Sequence, residues 1–247
     1  MSTPPPVLPA ASTAALSEGQ RLLYTFTAPS RTMADLRRNA SWWVPWLLVS
    51  IVAVAFSFTV DKRIGWGQII ETQIQANPKA AEKLEKVPAE QRTKMLKMQE
   101  TGARIMGYAA PVTTLLALVV LAGILLGIFN FGFGTKLRFN ELMGVTAYSF
   151  LPSILNTLLI ILVMFSVEAD RFDIKNPLAT NPGYFVPASM PFLKGTLGAF
   201  DIFTIWQIFL IAVGVSQLSK AKKWTAFTTL FILVLLFKMA VAGLGSM

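Results

Sequence analysis

Two ionisable residues, Asp201 and Lys238, interrupt long apolar stretches of this 247-residue chain. A charge inside a membrane-spanning helix is costly unless it is paired or hydrated, and such residues often mark functional sites. If the two stretches form a helical hairpin around the basic turn at 219–223, a rise of about 1.5 Å per residue puts both side chains at a similar height. We therefore expect an intramembrane ion pair. The alternative is that each side chain extends separately to the outer headgroups.

Other polar or helix-shaping residues lie within the apolar stretches of the chain. Asn156, Gln207 and Tyr148 are expected to form interhelical hydrogen bonds. A second set concerns helix packing: the GxxxG pair Gly123 and Gly127, whose small size lets helices approach closely, and Pro152, which is expected to kink its helix.

The absence of cysteine and histidine excludes several kinds of chemistry. Disulfides, thiol nucleophiles, Ser-His-Asp catalysis and metal sites with thiolate or imidazole ligands are all ruled out. The carboxylates lie mostly in polar segments, without an evident acid–base pair. We therefore predict no enzymatic activity, no catalytic or metal-binding residue and no cofactor.

The net charge of +9 does not indicate nucleic-acid binding. The cations flank apolar stretches and form no dense stripe with aromatic platforms. In that position they set membrane orientation and meet anionic headgroups. We expect contact with the lipid bilayer and no nucleic-acid partner.

The composition favours a membrane protein, because 54% of the residues are hydrophobic and 14% are charged, against about 25% charged in soluble domains. A helix needs about 20 apolar residues to cross the hydrocarbon. We predict an all-α polytopic membrane protein, a bundle of five transmembrane helices with short amphipathic interfacial helices. The transmembrane domain is expected at 41–247, with spans at about 41–60, 109–133, 142–167, 197–218 and 224–244.

The remaining segments are polar. Residues 1–20 are rich in Pro, Ala, Ser and Thr and are predicted to be a disordered tail. Residues 21–40 are predicted to be an amphipathic interfacial segment, with a solvated linker helix as the alternative. Residues 61–106 are expected to be a polar helical excursion outside the bilayer. Its methionine-rich face leaves open a helix that binds a partner or leans on the membrane.

The two short turns between spans are both basic, one with Lys136 and Arg138 and the other with three lysines. Short basic turns tend to remain in the cytoplasm. We therefore place both turns and the N-terminus on the cytoplasmic side. Five spans put the C-terminus on the opposite side.

Two stretches resemble the YIP family of integral membrane proteins, in its bacterial branch. One is GFGTKLRFNELMGVTAYSFLP at 132–152, with Tyr148 to Pro152 as its clearest element, and the other is FTAPSRTMADLRRNASWWVPWLL at 26–48. In eukaryotic members the family implies a cytoplasmic N-terminus, interaction with Rab GTPases and a role in vesicle trafficking. This chain lacks their acidic-aromatic Gly-Pro-Leu signature before the first span. The resemblance implies the bacterial cytoplasmic membrane as the location.

Two functions follow as hypotheses. The first is a YIP-type membrane protein with a scaffolding, organising or trafficking-like role, acting through helix packing and contact with lipid, another membrane protein or a second copy. The alternative is a small-solute or ion transporter, or a subunit of one, that uses Asp201, Lys238, Gln207 and Asn156. A water-filled cavity that reaches these residues would favour transport, and a dry bundle would favour the scaffold.

Overall fold

A computed structural model describes residues 15–75, 78–169, 172–187 and 189–246. These residues form α-helices, a π-helical turn at Gly127–Gly132, two short 3-10 helices and loops, and no strand occurs among them. The predicted all-α fold is confirmed. The α-helices are α1 Glu18–Thr27, α2 Pro29–Asp35, α3 Trp43–Arg63, α4 Trp66–Gln75, α5 Pro78–Glu85, α6 Ala89–Tyr108, α7 Ala110–Leu126, α8 Phe139–Ser149, α9 Pro152–Ser166, α10 Pro191–Leu197, α11 Ile202–Leu218 and α12 Lys223–Ser246.

Four stretches of the described chain are long and apolar enough to cross a bilayer by themselves. They are Trp43–Arg63, Ala110–Gly132, Phe139–Ser166 and Lys223–Leu244. A fifth span is possible if Pro191–Phe200 and Ile202–Leu218, which meet at an angle of 46°, count as one. The polytopic helical architecture follows, with a bend in the fourth predicted span that the hydropathy pattern does not reveal.

The third span is a succession of two helices. α8 ends at Ser149, and α9 begins at Pro152, which occupies its first turn. Proline is tolerated there because the N–H groups of a first helical turn have no partner within the helix. The predicted effect of Pro152 is thus seen as a break between two helices, at Phe150 and Leu151, rather than as a kink within one helix.

The N-terminal helices α1 and α2 form a hairpin against the bundle. Residues 1–14 of the predicted disordered tail lie outside the described residues, but its last residues are ordered. Ser17 caps α1 in a reciprocal capping box with Gln20, and α1 begins at Glu18. Met33 and Leu36 are fully buried in the main core. The segment predicted as interfacial therefore packs on the protein as well.

The docking of this hairpin depends on two glycines. A Cβ atom on Gly144 of α8 would lie 3.2 Å from a methyl carbon of Leu36. A Cβ atom on Gly214 of α11 would lie 2.5 Å from a methyl carbon of Val145 and 3.2 Å from the sulfur of Met33. Glycine at these positions lets α2, α8 and α11 approach closely around the core.

The excursion between the first two spans is helical. It comprises α4, α5 and α6, and α6 has no buried residue. Trp66 and Ile69 of α4 join Val60 in a small second core. The methionine-rich face of α6 remains exposed, with Met98 70% accessible. The alternative of a partner-binding helix stays a prediction.

Candidate functional site: a polar cavity bounded by α9 to α12

A cavity of about 560 Å³ lies between α9, α10, α12 and the start of α11, and the loop before α10 completes its wall. Its polar lining contains three lysines, two aspartates, three asparagines and two threonines. Asp201, Lys238 and Asn156 of the predicted set meet here, whereas Gln207 is not part of the lining. The structure thus brings together three of the four residues proposed for a transport pathway.

Asp201 is the N-cap of α11. Its Oδ1 atom accepts hydrogen bonds from the backbone N–H groups of Phe203 at 3.0 Å and Thr204 at 3.1 Å. Its Oδ2 atom accepts a short hydrogen bond from the hydroxyl of Thr180. A carboxylate satisfies the free N–H groups of a helix start and interacts favourably with the positive end of the helix dipole. Asp201 therefore lies at the bend of the fourth predicted span, not inside a continuous helix.

Lys238 lines the same cavity from α12 and is half-buried. Among the ion pairs of the described residues, none joins Lys238 to Asp201. The predicted pair is thus replaced by a shared cavity. Both oxygens of Asp201 accept hydrogen bonds at the start of α11, which holds the carboxylate at the bend.

The loop before α10 is fastened to that helix by polar contacts that the sequence analysis missed. Lys194 Nζ lies 3.1 Å from Asp173 Oδ2. The amide groups of Asn176 and Asn181 pair reciprocally, at 2.8 and 3.3 Å. Each of these asparagines precedes a proline. This repeated Asn-Pro turn signal was available, but it did not indicate that the two amides would meet at a cavity wall.

The remaining polar residues of the spans differ in their surroundings. Asn156 contributes to the cavity wall from α9. Gln207 lies three residues after Thr204, the last cavity-lining residue of α11. In the part of the chain that the structure describes, neither side chain forms the interhelical hydrogen bond that we predicted. Tyr148 does form one, through its hydroxyl to Glu18 Oε2 at 2.5 Å.

The cavity lining ends where the apolar core begins. Next along α11 come the buried residues Ile208 and Ile211, and α12 contributes Leu230 and Ala226 to the same core. Asp173 is paired with Lys194, and the carboxylate of Asp201 caps α11. Lys175 and Lys238 therefore give the cavity lining an excess of positive charge. The arrangement suits the binding of a small polar or anionic molecule.

Tyr148 belongs to a second polar group, buried under the N-terminal hairpin. Arg21 is 1% exposed and Asp35 is 7% exposed. The guanidinium of Arg21 donates a hydrogen bond to Asp35 Oδ2 at 2.7 Å and lies 3.2 Å from Glu18 Oε1. The other carboxylate oxygen of Glu18 accepts the hydrogen bond from the hydroxyl of Tyr148. Burial alone would lower the pKa of Arg21, but its hydrogen bonds to Asp35 and the negative charge nearby raise that pKa above its usual value. Arg21 therefore stays charged and ties α1 to α2.

The GxxxG pair lies on an outward face of the candidate span Ala110–Gly132, with Gly123 in α7 and Gly127 at the start of the π-helical turn that follows it. Gly123 is exposed and Gly127 is half-buried. A Cβ atom at either position would meet nothing within 4 Å. These glycines therefore do not serve helix packing within the described chain, in contrast to Gly144 and Gly214.

The family model for the Yip1 domain matches residues 23–244, which is nearly the whole chain and covers every candidate span. No curated protein and no solved structure matches the chain.

Proposed function

The chain belongs to the Yip1 domain family and is a multi-pass membrane protein, and on this premise we propose that it is a membrane scaffold. It would organise its surroundings through helix packing and through contact with lipid or another membrane protein. The proposal assigns the chain no enzymatic activity and no cofactor.

The observation that carries this proposal is the uncovered glycine face of α7. Leu116 and Val120 lie on this face with Gly123 and Gly127, at helical spacing, and are 58% and 59% exposed. Helices in membranes associate through small residues that permit close backbone contact. A second copy of the chain is the simplest occupant, because one face can pair with itself across a twofold axis.

The experiment is a measurement of self-association in lipid bilayers. Single-molecule photobleaching of the labelled protein should show a dimer population. The double variant Gly123→Ile and Gly127→Ile should lower that population, because the larger side chains hold the helices apart. Gly243→Ile is the matched control, since Gly243 lies on another candidate span where an added Cβ also meets nothing within 4 Å. Equal dimer populations for all three proteins would contradict the proposal.

A transporter is the second candidate, supported by the polar cavity. The cavity holds Lys238, Asn156 and Asp201, which the alternative hypothesis named in advance. Its test is proton or ion flux in proteoliposomes, with Asp201→Asn and Lys238→Met beside the native chain. If the native chain conducts protons or ions and either substitution abolishes this flux, transport would be favoured. Absence of flux from the native chain would favour the scaffold.

The proposed orientation places the N-terminus and both short basic turns in the cytoplasm of a bacterial cell. The support is the charge of the turns, with Lys136 and Arg138 in one and Lys220, Lys222 and Lys223 in the other. An impermeant maleimide added to intact cells should label Lys175→Cys, and it should label Lys136→Cys only after the membrane is permeabilised. The reverse pattern would contradict this orientation.

A further inference from the structure

A second groove, of about 320 Å³, lies at the other end of the bundle, and three arginines line it. Arg37 and Arg38 follow α2, and Arg138 immediately precedes α8. The groove also contains Glu141, so its lining carries three positive charges against one negative charge. This is a concentrated excess of positive charge outside the cavity described above.

The described hydrogen bonds of Arg37 and Arg138 leave donors on both guanidinium groups for a ligand. Arg37 Nη2 donates to the carbonyl oxygen of Gln217 at 3.2 Å. Arg138 Nη2 donates to Glu141 Oε1 at 2.8 Å, and the backbone N–H of Arg138 donates to Oε2 of the same carboxylate. A guanidinium has five N–H donors, so one such side-chain bond leaves four. Glu141 is 6% exposed and already bound on both oxygens, which limits its repulsion of an anion.

The groove lies at the height at which lipid headgroups are expected. α8 begins at Phe139 and α11 ends at Leu218, next to the carbonyl group that Arg37 binds. α3 begins at Trp43, three residues after the groove residue Ala40, and Trp43 is 55% exposed. Tryptophan is enriched where helices enter the headgroup region. Three candidate spans therefore end around the arginines.

We propose that this groove binds the phosphate group of an anionic phospholipid headgroup. The planar guanidinium matches phosphate oxygens with two parallel hydrogen bonds, and arginine is favoured over lysine where that geometry matters. Arg37 and Arg138 supply the donors, Glu141 orients Arg138, and Arg38 adds a positive charge to the groove lining. Phe139, which is 40% exposed, provides an apolar wall for the glycerol and first acyl carbons. Basic pockets between spanning helices recognise anionic headgroups in this manner.

This site is independent of the proposed scaffold function. None of its residues lies on the glycine face of α7 or in the polar cavity. A native protein that self-associates but binds no phosphatidylglycerol would refute this inference alone. A native protein that binds the lipid but does not self-associate would refute the scaffold alone.

The test is a titration of the full-length protein, purified in a neutral detergent, with dihexanoyl phosphatidylglycerol, followed by isothermal calorimetry. Arg37→Gln and Arg38→Gln together should weaken binding about 30-fold, and each alone about fivefold, in line with the usual contribution of one basic residue near an anionic surface. Arg37→Lys with Arg38→Lys should retain binding to within about fivefold, because the charge remains but the planar fork is lost. This lysine variant also serves as the second readout if the glutamine variant does not fold.

Arg31→Gln is the matched control. It removes the same charge from an exposed arginine in the same hairpin, outside the groove lining. It should leave the affinity for phosphatidylglycerol unchanged. An equal loss in this variant would overturn the proposal, because binding would then follow net charge and not the groove. Inorganic phosphate or neutral dihexanoyl phosphatidylcholine binding as tightly as phosphatidylglycerol would overturn the assignment to an anionic lipid.

Discussion

Arg21 and Asp35 meet across the N-terminal hairpin, with both Nε and Nη2 of the arginine donating to the same carboxylate oxygen at 2.9 and 2.7 Å. Both side chains are almost fully buried. The hydroxyls of Thr25 and Thr32 add two hydrogen bonds to the backbone carbonyl of Arg21. A polar pair on two successive short helices thus holds α1 and α2 together as one unit on the bundle.

Removing one partner of this pair should be costly. Arg21→Met leaves the buried carboxylate of Asp35 without its cation, and such a change costs about 3 to 5 kcal/mol. The double variant Arg21→Met and Asp35→Leu should recover much of that loss, because no unpaired charge remains. Thermal unfolding in detergent measures both. Lys86→Met, which breaks an exposed pair with Glu82, should leave the midpoint unchanged.

Tyr148→Phe should cost less than loss of Arg21. The substitution removes one hydrogen bond, from the buried hydroxyl to Glu18, and we expect a loss of about 1 kcal/mol. Glu18 is partly exposed and can hydrogen-bond with water instead. In the double variant with Glu18→Gln the two losses should not add, because both act on one contact. Strictly additive losses would show that the tyrosine and the glutamate are not coupled.

Asp201 and Lys238 should behave differently in stability measurements. Asp201→Ala removes the N-cap of α11 and should cost about 1 kcal/mol, while Asp201→Ser should restore most of it. Lys238→Met should have little effect, because in the described structure this lysine forms no ion pair with Asp201. Hydrogen exchange at 202–205 reports the first turn of α11 directly. Equal losses for Asp201→Ala and Lys238→Met would instead favour the ion pair expected from the sequence.

Gly214→Ala should destabilise the bundle. Its new Cβ atom would lie 2.5 and 2.7 Å from the two methyl carbons of Val145, and such overpacking costs about 1 to 3 kcal/mol. Val145→Ala in the same chain should relieve the clash and restore part of the stability. Gly123→Ala provides the contrast, because its added methyl group meets open space and alanine favours the helix. Thermal midpoints that fall equally for both glycines would contradict this packing.

Some details of the structure could have been read from the chain but were missed. Ser17 and Gln20 have the spacing of a capping box, which predicts a helix start at Glu18 rather than a disordered tail. Asp201 ahead of an apolar stretch is likewise a helix N-cap signal. Both are local patterns. They were outweighed, in one case by the polar composition of the tail and in the other by the length of the surrounding apolar run.

Hydropathy and span length identify an all-helical, multi-pass membrane protein from the residues alone, because both are sums over neighbours along the chain. The sequence also carried the family resemblance. Which face of each helix is buried became evident from the packed structure alone. Gly214 packs in the core while Gly123 faces outward, and Arg21 is sealed inside although arginine usually lies at a surface. These outcomes depend on how helices rotate and approach one another, and residues far apart in the chain set those distances.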